Sequence, residues 1–211
     1  MNSPIRNIIK CARNHIQPNI TAYDDIPDKL KVMIRKRLWD YQQGVCVYCR
    51  RKIEEHKLKI IDEHIEHILP KSKYPEVQLS AYNLALACSA CNYNKGQNNI
   101  IGTVQISMLG ISFEKLYEED FLKNKNNKFY NIIHPYYDDY NDNIEIESFI
   151  YKVKQNAPNK TGAFNMIKIC KLAEISAIEQ RRYKEFQNQI NLNLINQGQI
   201  DEKFISLLFK K

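Results

Sequence analysis

The sequence lacks the features that mark membrane proteins and ATP-binding proteins. No apolar run approaches the roughly 20 residues that a helix needs to span a bilayer. The N-terminal stretch MNSPIRNIIK has no continuous apolar core of the kind an export signal requires. No glycine-rich phosphate loop occurs, and the chain holds only 6 glycines. We therefore expect a soluble, cytoplasmic protein with no membrane partner and no ATP site of its own.

The composition is that of a folded protein with a basic surface. Hydrophobic residues make up 44% and charged residues 26% of the 211 residues, which predicts a packed core rather than disorder. This length suits one sizeable domain or two small ones. The net charge of +7 favours a polyanionic partner, of which nucleic acid is the commonest, although many basic proteins bind none.

Four of the six cysteines form two CxxC pairs, in the stretches CVYC and CSAC. In a reducing compartment such pairs predict metal ligands or redox centres rather than structural disulfides. Two pairs complete a tetrahedron of thiolates, which favours a closed, structural Zn²⁺ site over an iron–sulfur cluster or a redox-active dithiol. We interpret Cys11 and Cys170 as small apolar residues. The predicted zinc ligands are Cys46, Cys49, Cys88 and Cys91.

Three further motifs lie between and just after the cysteine pairs. EHILPKS contains Glu66 and His67, NLALAC begins at Asn83, and CNYNKG contains Asn92 and Lys95. Taken one at a time, each has an ordinary structural interpretation, such as a strand end, a turn residue or a helix end. Their conjunction inside one cysteine-framed loop favours a catalytic site.

Together these motifs resemble the HNH nuclease family in its four-cysteine form. The resemblance implies a ββα-metal fold, in which two strands and a helix surround one divalent cation. It places His67 at the general base, Glu66 at the metal-ligating acid and Asn83 at the middle position. Asn92 falls at the third position, where many members have histidine, so the chain is an HNN-type variant. Lys95 matches the trailing basic residue, and the resemblance covers residues 46–96.

The chemistry of phosphodiester hydrolysis suits these residue types. A neutral imidazole at His67 can take a proton from water. The carboxylate of Glu66 and the amide oxygen of Asn92 are hard ligands that suit Mg²⁺ or Mn²⁺. Asn83 can hold the His67 ring or its loop, and Lys95 can contact the phosphate. Adjacent strand residues face opposite sides, so Glu66 and His67 converge only if the strand bends or ends there.

The expected fold class is α+β, with a zinc-braced ββα-metal core flanked by N- and C-terminal helices. We divide the chain into an arm and helix (1–44), the nuclease core (45–100) and a mainly helical region that packs on it (101–211). Strands are predicted at 57–61 and 64–68, strand or turn at 83–88, a short helix after the last cysteine, and a strand in IEIESFIYKV. Helices are predicted at 27–43, 112–124, 161–196 with a break near residue 172, and 201–209.

Two stretches of the C-terminal region carry alternative interpretations. HPYYDDYNDN offers a second metal site from Asp138, Asp139 and Asp142, but we favour a turn-rich loop that packs against the core. The amphipathic stretch with Arg181 and Arg182 can contact phosphates, but we favour ordinary solvated charges.

The order of these segments is similar to the small HNH subunits of Septu-type anti-phage systems, some of them encoded beside retrons. That resemblance implies an effector nuclease that cuts nucleic acid, with DNA as the expected substrate, and works with a separate ATPase subunit. The alternative is a non-catalytic zinc-ribbon module that binds nucleic acid or a protein partner.

Overall fold

The structure is a computed structural model that describes residues 22–53, 63–98 and 130–196, together with Ile5, Asn7 and Ile9. The described helices are α1 (Asp28–Gln42), α2 (Ser89–Lys95), α3 (Tyr140–Asn143), α4 (Lys160–Ile169) and α5 (Leu172–Asn196), with 3₁₀ turns at Tyr23–Asp25 and Pro75–Val77. The described strands are β1 (Glu63–His67), β2 (Leu84–Cys88), β3 (Ile144–Glu147) and β4 (Ile150–Val153). The fold class is therefore α+β, as predicted.

Helix α1 packs one face on strand β2. Leu30, Ile34 and Leu38 recur at a spacing of four residues, so they form one buried stripe on the helix. Near its end, the Gln42 side-chain amide donates to the carbonyl of Leu86 (2.9 Å) and accepts from its N–H (2.8 Å). This paired contact fixes α1 against β2.

Helix α1 begins and ends one residue inside the predicted range of 27–43. Pro27 is the N-cap, and Asp25 accepts from the N–H of Ala22 in the preceding 3₁₀ turn. Gln43, in the left-handed conformation with φ of 54°, is the C-cap. Gly44 follows at φ 66°, where an added Cβ would lie 2.8 Å from the ring of Trp39. Only glycine fits this second left-handed position without a clash.

Strands β1 and β2 form an antiparallel pair whose register runs from Glu63 opposite Cys88 to His67 opposite Leu84. All five residues of β2 are buried, which agrees with its wholly apolar sequence. Helix α2 begins directly after β2, before the last cysteine rather than after it. The order β1, β2, α2 gives the predicted ββα arrangement, and it brings both cysteine pairs to one end of the sheet.

The stretch IEIESFIYKV was predicted as one strand, and it is a hairpin instead. Strands β3 and β4 pair antiparallel around a two-residue turn at Ser148 and Phe149. Both turn residues have positive φ, 49° and 69°, as a tight hairpin turn of the type I′ class requires. The alternating pattern was recognised, but the turn carries none of the usual Asn-Gly signals.

The C-terminal helices confirm the predicted break near residue 172. Helix α4 begins after Asn159, whose side chain caps the N–H of Gly162 at 2.9 Å. Lys171, at φ 50°, separates α4 from α5. None of the described helices is both long and apolar enough to cross a membrane. The predictions for 57–61, 112–124 and 201–209, like that for Cys11, lie outside the described residues.

Candidate active site and cysteine cluster

The four paired cysteines meet in one buried cluster. Their sulfur atoms all lie within 4.8 Å of one another. The sulfurs of Cys49 and Cys88 are 3.8 Å apart. Zinc–sulfur bonds of about 2.3 Å place the sulfurs of a tetrahedron about 3.8 Å apart. The geometry therefore fits a four-thiolate zinc site, and none of the described cysteines is in a disulfide.

Local structure explains why the four thiols converge. The first pair lies in a tight loop, residues 46–49, closed by a hydrogen bond from the N–H of Arg50 to the carbonyl of Cys46 (3.0 Å). We call this loop, residues 46–49, the zinc knuckle. Its Val47 N–H donates to Leu86 of β2 (3.0 Å). Cys88 ends β2 and Cys91 lies in the first turn of α2, so the sheet and helix present the second pair.

The electrostatics of the cluster call for a cation. Burial raises the pKa of the Cys46 thiol, whereas hydrogen bonds from the neighbouring thiols lower the pKa of Cys88. Four thiols this close cannot all ionise without a compensating charge, because like charges repel in a buried site. The Arg51 guanidinium lies 3.9 Å from the sulfur of Cys88 and supplies part of that charge. A Zn²⁺ ion held by the four sulfurs would supply the larger part.

Glu66 is a buried carboxylate, 4% exposed, in the second half of β1. Its Oε1 accepts a hydrogen bond from the Tyr48 hydroxyl (3.0 Å) and forms an ion pair with the Lys95 ammonium. Burial raises the pKa of Glu66, and the Lys95 charge opposes that rise. A buried acid of this kind is stable as a carboxylate only beside a cation.

Lys95 is almost completely buried, with 1% of its side chain exposed. Its ammonium also donates to the carbonyl of His67 (3.0 Å), so it joins α2 to the end of β1. Among the described residues its contacts are therefore with the Glu66 carboxylate and with backbone carbonyls. Its predicted contact with the substrate phosphate stays a prediction.

His67 lies at the end of β1 on the side away from Glu66. Its Nε2 is 3.2 Å from the carbonyl oxygen of Gln78, and the Tyr23 ring meets it edge-on at 4.8 Å. Since a carbonyl only accepts, Nε2 carries the hydrogen and Nδ1 keeps the lone pair. Burial, reinforced by the charge of Lys71, lowers the pKa of His67 to about 4. The ring is therefore a neutral proton acceptor near pH 7.

The two catalytic candidates on β1 meet different groups, as adjacent strand residues must. Glu66 contacts Tyr48 and Lys95, whereas His67 contacts Tyr23 and Gln78. Strand β1 ends at His67. The side chains of Glu66 and His67 can converge on one site only if the strand bends or ends there. The Lys95 ammonium contacts both the carboxylate of one and the carbonyl of the other.

Asn83 is fully buried and holds the loop that follows β1. Its Oδ1 accepts from the N–H of Leu69 (2.7 Å), and its Nδ2 donates to the carbonyls of Leu69 (3.1 Å) and Val77 (3.2 Å). These contacts are with the loop that also carries Gln78, the partner of His67. A role for Asn83 in holding His67 stays a prediction.

Asn92 lies on α2, directly after Cys91 and half-buried. It precedes Lys95 by three residues, and residues three apart share a face of a helix. Lys95 reaches Glu66 from this face. The role of Asn92 as a ligand of a hard divalent cation beside Glu66 stays a prediction.

Sequence reasoning missed three residues that contact the predicted site: Tyr48, Tyr23 and Gln78. Tyr48 lies inside CVYC, where its position between two metal ligands was the available signal. The other two contact His67 from segments far away in sequence, and no local pattern indicates them.

The stretch HPYYDDYNDN is a turn-rich segment that packs on the core, as favoured. The Tyr136 hydroxyl donates to the carbonyl of Leu84 at 2.6 Å. Asp138 accepts from the N–H of His134 (2.7 Å), and Asp139 caps α3. Within the described ranges, the four cysteines are the group of potential metal ligands that clusters, so these acids support no second site.

Comparison with known proteins agrees with this geometry. Residues 46–98 match the HNH endonuclease family. A segment of 69 residues is 32% identical to the Septu protein PtuB of Bacillus thuringiensis, and covers 33% of this chain. The match spans about a quarter (26%) of that relative's length.

Proposed function

We propose that this chain, which carries an HNH endonuclease domain at residues 46–98, hydrolyses phosphodiester bonds of nucleic acid, with DNA as the expected substrate. The observation that supports this most is the His67 imidazole, whose Nε2 meets the Gln78 carbonyl at the end of the strand that also carries the buried Glu66, within a ββα unit.

His67 is the general base. The Gln78 carbonyl holds its Nε2 hydrogen, so Nδ1 is the atom that takes a proton from the attacking water. The edge-on Tyr23 ring restricts rotation of the imidazole. A phosphate bound nearby would raise the pKa of His67 from its low value, because an anion stabilises the imidazolium.

Glu66 and Asn92 are the protein ligands of the catalytic cation, Mg²⁺ or Mn²⁺. Such a cation, when bound, neutralises charge on the phosphate and stabilises the leaving oxygen. Lys95 holds Glu66 in place and offsets its charge, and we keep its contact with the phosphate as part of the proposal. Asn83 holds the loop that carries the His67 partner.

The four-cysteine cluster binds a structural Zn²⁺ ion. The ion joins the knuckle to the end of β2 and the start of α2. The knuckle carries Tyr48 and α2 carries Lys95, and both side chains contact Glu66. Four thiolate ligands leave no open position for substrate, so this ion takes no part in the reaction.

The biological setting proposed is a bacterial anti-phage defence complex, in which this chain is the effector nuclease and a separate ATPase subunit controls it. The similarity to a Septu protein supports this setting. The net charge of +7 supports a nucleic-acid substrate. The proposal includes those defence systems of this type that are encoded beside retrons.

The test is cleavage of plasmid DNA by zinc-loaded protein with Mg²⁺ or Mn²⁺. We expect cleavage by the wild type and by His64→Ala, and none by His67→Ala. His64 is the matched control because it is an exposed histidine on the same strand. Equal cleavage by the His67→Ala protein would contradict the assignment of the base.

If the wild-type protein contains zinc but does not cleave DNA, the assay is repeated with the product of the neighbouring gene added. Activity restored only by that partner supports the regulated nuclease. Continued silence on DNA and on RNA contradicts the proposal and favours the zinc-ribbon binding module.

A further inference from the structure

We propose that Tyr48 is a positioning residue for the catalytic carboxylate, so that the zinc knuckle itself orients the ligand of the catalytic cation. This inference rests on the proposed function, because it takes Glu66 as a cation ligand. The structural zinc site would then be connected to the catalytic carboxylate of Glu66 through Tyr48.

The contact is buried and long-range in sequence. Tyr48 is completely buried, and its hydroxyl donates to Oε1 of Glu66 at 3.0 Å across 18 residues of sequence. A buried hydroxyl and a buried carboxylate both lose water on folding, so each depends on the other for its hydrogen bond. The bond is charge-assisted, which makes it stronger than one between neutral groups.

The same carboxylate oxygen receives two donors. The Lys95 ammonium also contacts Oε1, so within the described ranges both donors to Glu66 bind one oxygen. Two donors from different elements, α2 and the knuckle, fix the plane of the carboxylate. That orientation keeps Oε2 available for the cation that Asn92 would share.

The knuckle fixes Tyr48 more firmly than an ordinary loop would. Tyr48 lies between Cys46 and Cys49, both ligands of the predicted zinc site. The flanking residue Val47 is bonded to Leu86 of β2. With zinc bound, the backbone on both sides of Tyr48 is held, so the hydroxyl is presented to Glu66 in one position. Loss of zinc releases the same segment.

The experiment measures Mn²⁺ binding to zinc-loaded protein without nucleic acid, by following free Mn²⁺ in electron paramagnetic resonance. The variants are Tyr48→Phe and, as the matched control, Tyr136→Phe. The control loses a comparable buried hydroxyl, whose partner is the Leu84 carbonyl rather than the carboxylate. Zinc content and circular dichroism are measured for every variant.

We expect Tyr48→Phe to bind Mn²⁺ roughly 10- to 100-fold more weakly, with zinc content and spectrum unchanged, since partners of a metal ligand typically contribute this much. Tyr136→Phe should bind Mn²⁺ like the wild type. Equal affinity of Tyr48→Phe and wild type overturns the inference, and so does equal weakening in both variants.

Glu66→Gln separates this inference from the proposed function. Wild-type Mn²⁺ binding that is lost in Glu66→Gln but unchanged in Tyr48→Phe overturns the role of Tyr48 alone. Absence of Mn²⁺ binding in the wild type overturns the cation assignment and the inference with it.

Discussion

At the scale of single residues, this site depends on buried polar groups that satisfy one another. Glu66, Lys95, His67 and Asn83 are all nearly or fully buried, and each has a specific partner. Burying such groups costs free energy unless their hydrogen bonds and charges are paired. We therefore expect substitutions of them to reduce stability as well as activity, and the two effects must be measured separately.

Replacing Asn83 by Ala should reduce the free energy of unfolding by about 2–4 kcal/mol, because it leaves the Leu69 N–H and two carbonyls without their partner. Urea unfolding of zinc-loaded protein measures this. Asn98→Ala, at an exposed position, is the control and should change little. A loss below about 0.5 kcal/mol for Asn83→Ala would show that the loop does not depend on this side chain.

Replacing Lys95 by Met should reduce the free energy of unfolding by about 3–5 kcal/mol, since it leaves the Glu66 carboxylate buried without its cation. Adding Glu66→Gln should recover part of this loss, because the uncompensated charge is then gone while Tyr48 keeps an acceptor. A thermodynamic double-mutant cycle from guanidinium unfolding measures the coupling. Strictly additive effects would contradict a direct ion pair.

At the scale of elements, α5 divides into two parts with different roles. Leu172 and Ile175 are buried against the body of the protein. Several large apolar side chains further along the helix are exposed, including Ile178, Tyr183 and Phe186. This second part still meets the β3–β4 hairpin, where the Tyr183 and Phe149 rings lie 5.8 Å apart.

This division predicts unequal effects along one helix. Ile175→Ala should reduce the free energy of unfolding by about 2–4 kcal/mol, because it creates a cavity in the core. Phe186→Ser, at a position 57% exposed, should change it by less than about 0.5 kcal/mol. Thermal unfolding of the two variants side by side measures the contrast. A large effect at Phe186 would show that its face is covered in the folded protein.

At the scale of the whole molecule, one buried core includes residues from all three predicted regions. Ile34 of α1, Leu86 of β2 and Ile132 belong to the same cluster of buried side chains. The four clustered cysteines belong to the same core, where they join the knuckle to the sheet. The division into 1–44, 45–100 and 101–211 stays a prediction.

Removal of zinc should therefore unfold the ββα unit rather than loosen one loop. Four-thiolate zinc sites contribute about 10–16 kcal/mol in small domains, which is comparable to the whole stability of a typical protein. We expect a strong chelator to abolish the cooperative unfolding transition of the wild type. Cys88→Ala should behave like the chelated protein.

Cys170→Ala is the control for this prediction, because Cys170 is a buried cysteine outside the cluster. It should keep its zinc and its cooperative transition. A chelated wild type that still unfolds cooperatively at its original temperature would contradict a structural role for the metal.

The amino-acid sequence alone determined which four cysteines come together and the order of the core elements. The CxxC spacing predicts four thiolates in one place because that signal is local. The short apolar stretch of β2 left strand and turn as alternatives, and its pairing with β1 decided for a strand. The break near residue 172 was also recognisable from helical spacing. The alternation in IEIESFIYKV was visible, but its turn residues, Ser148 and Phe149, gave no signal for positive φ.

Only the tertiary structure decided how the site residues are partnered. Tyr48 reaches Glu66 across 18 residues, and His67 meets a carbonyl 11 residues away in sequence. The burial of Lys95 beside Glu66 depends on α2 packing against β1, a contact that neither segment specifies by itself. Such partnerships depend on distances between elements, and a local pattern of residue types carries no information about those distances.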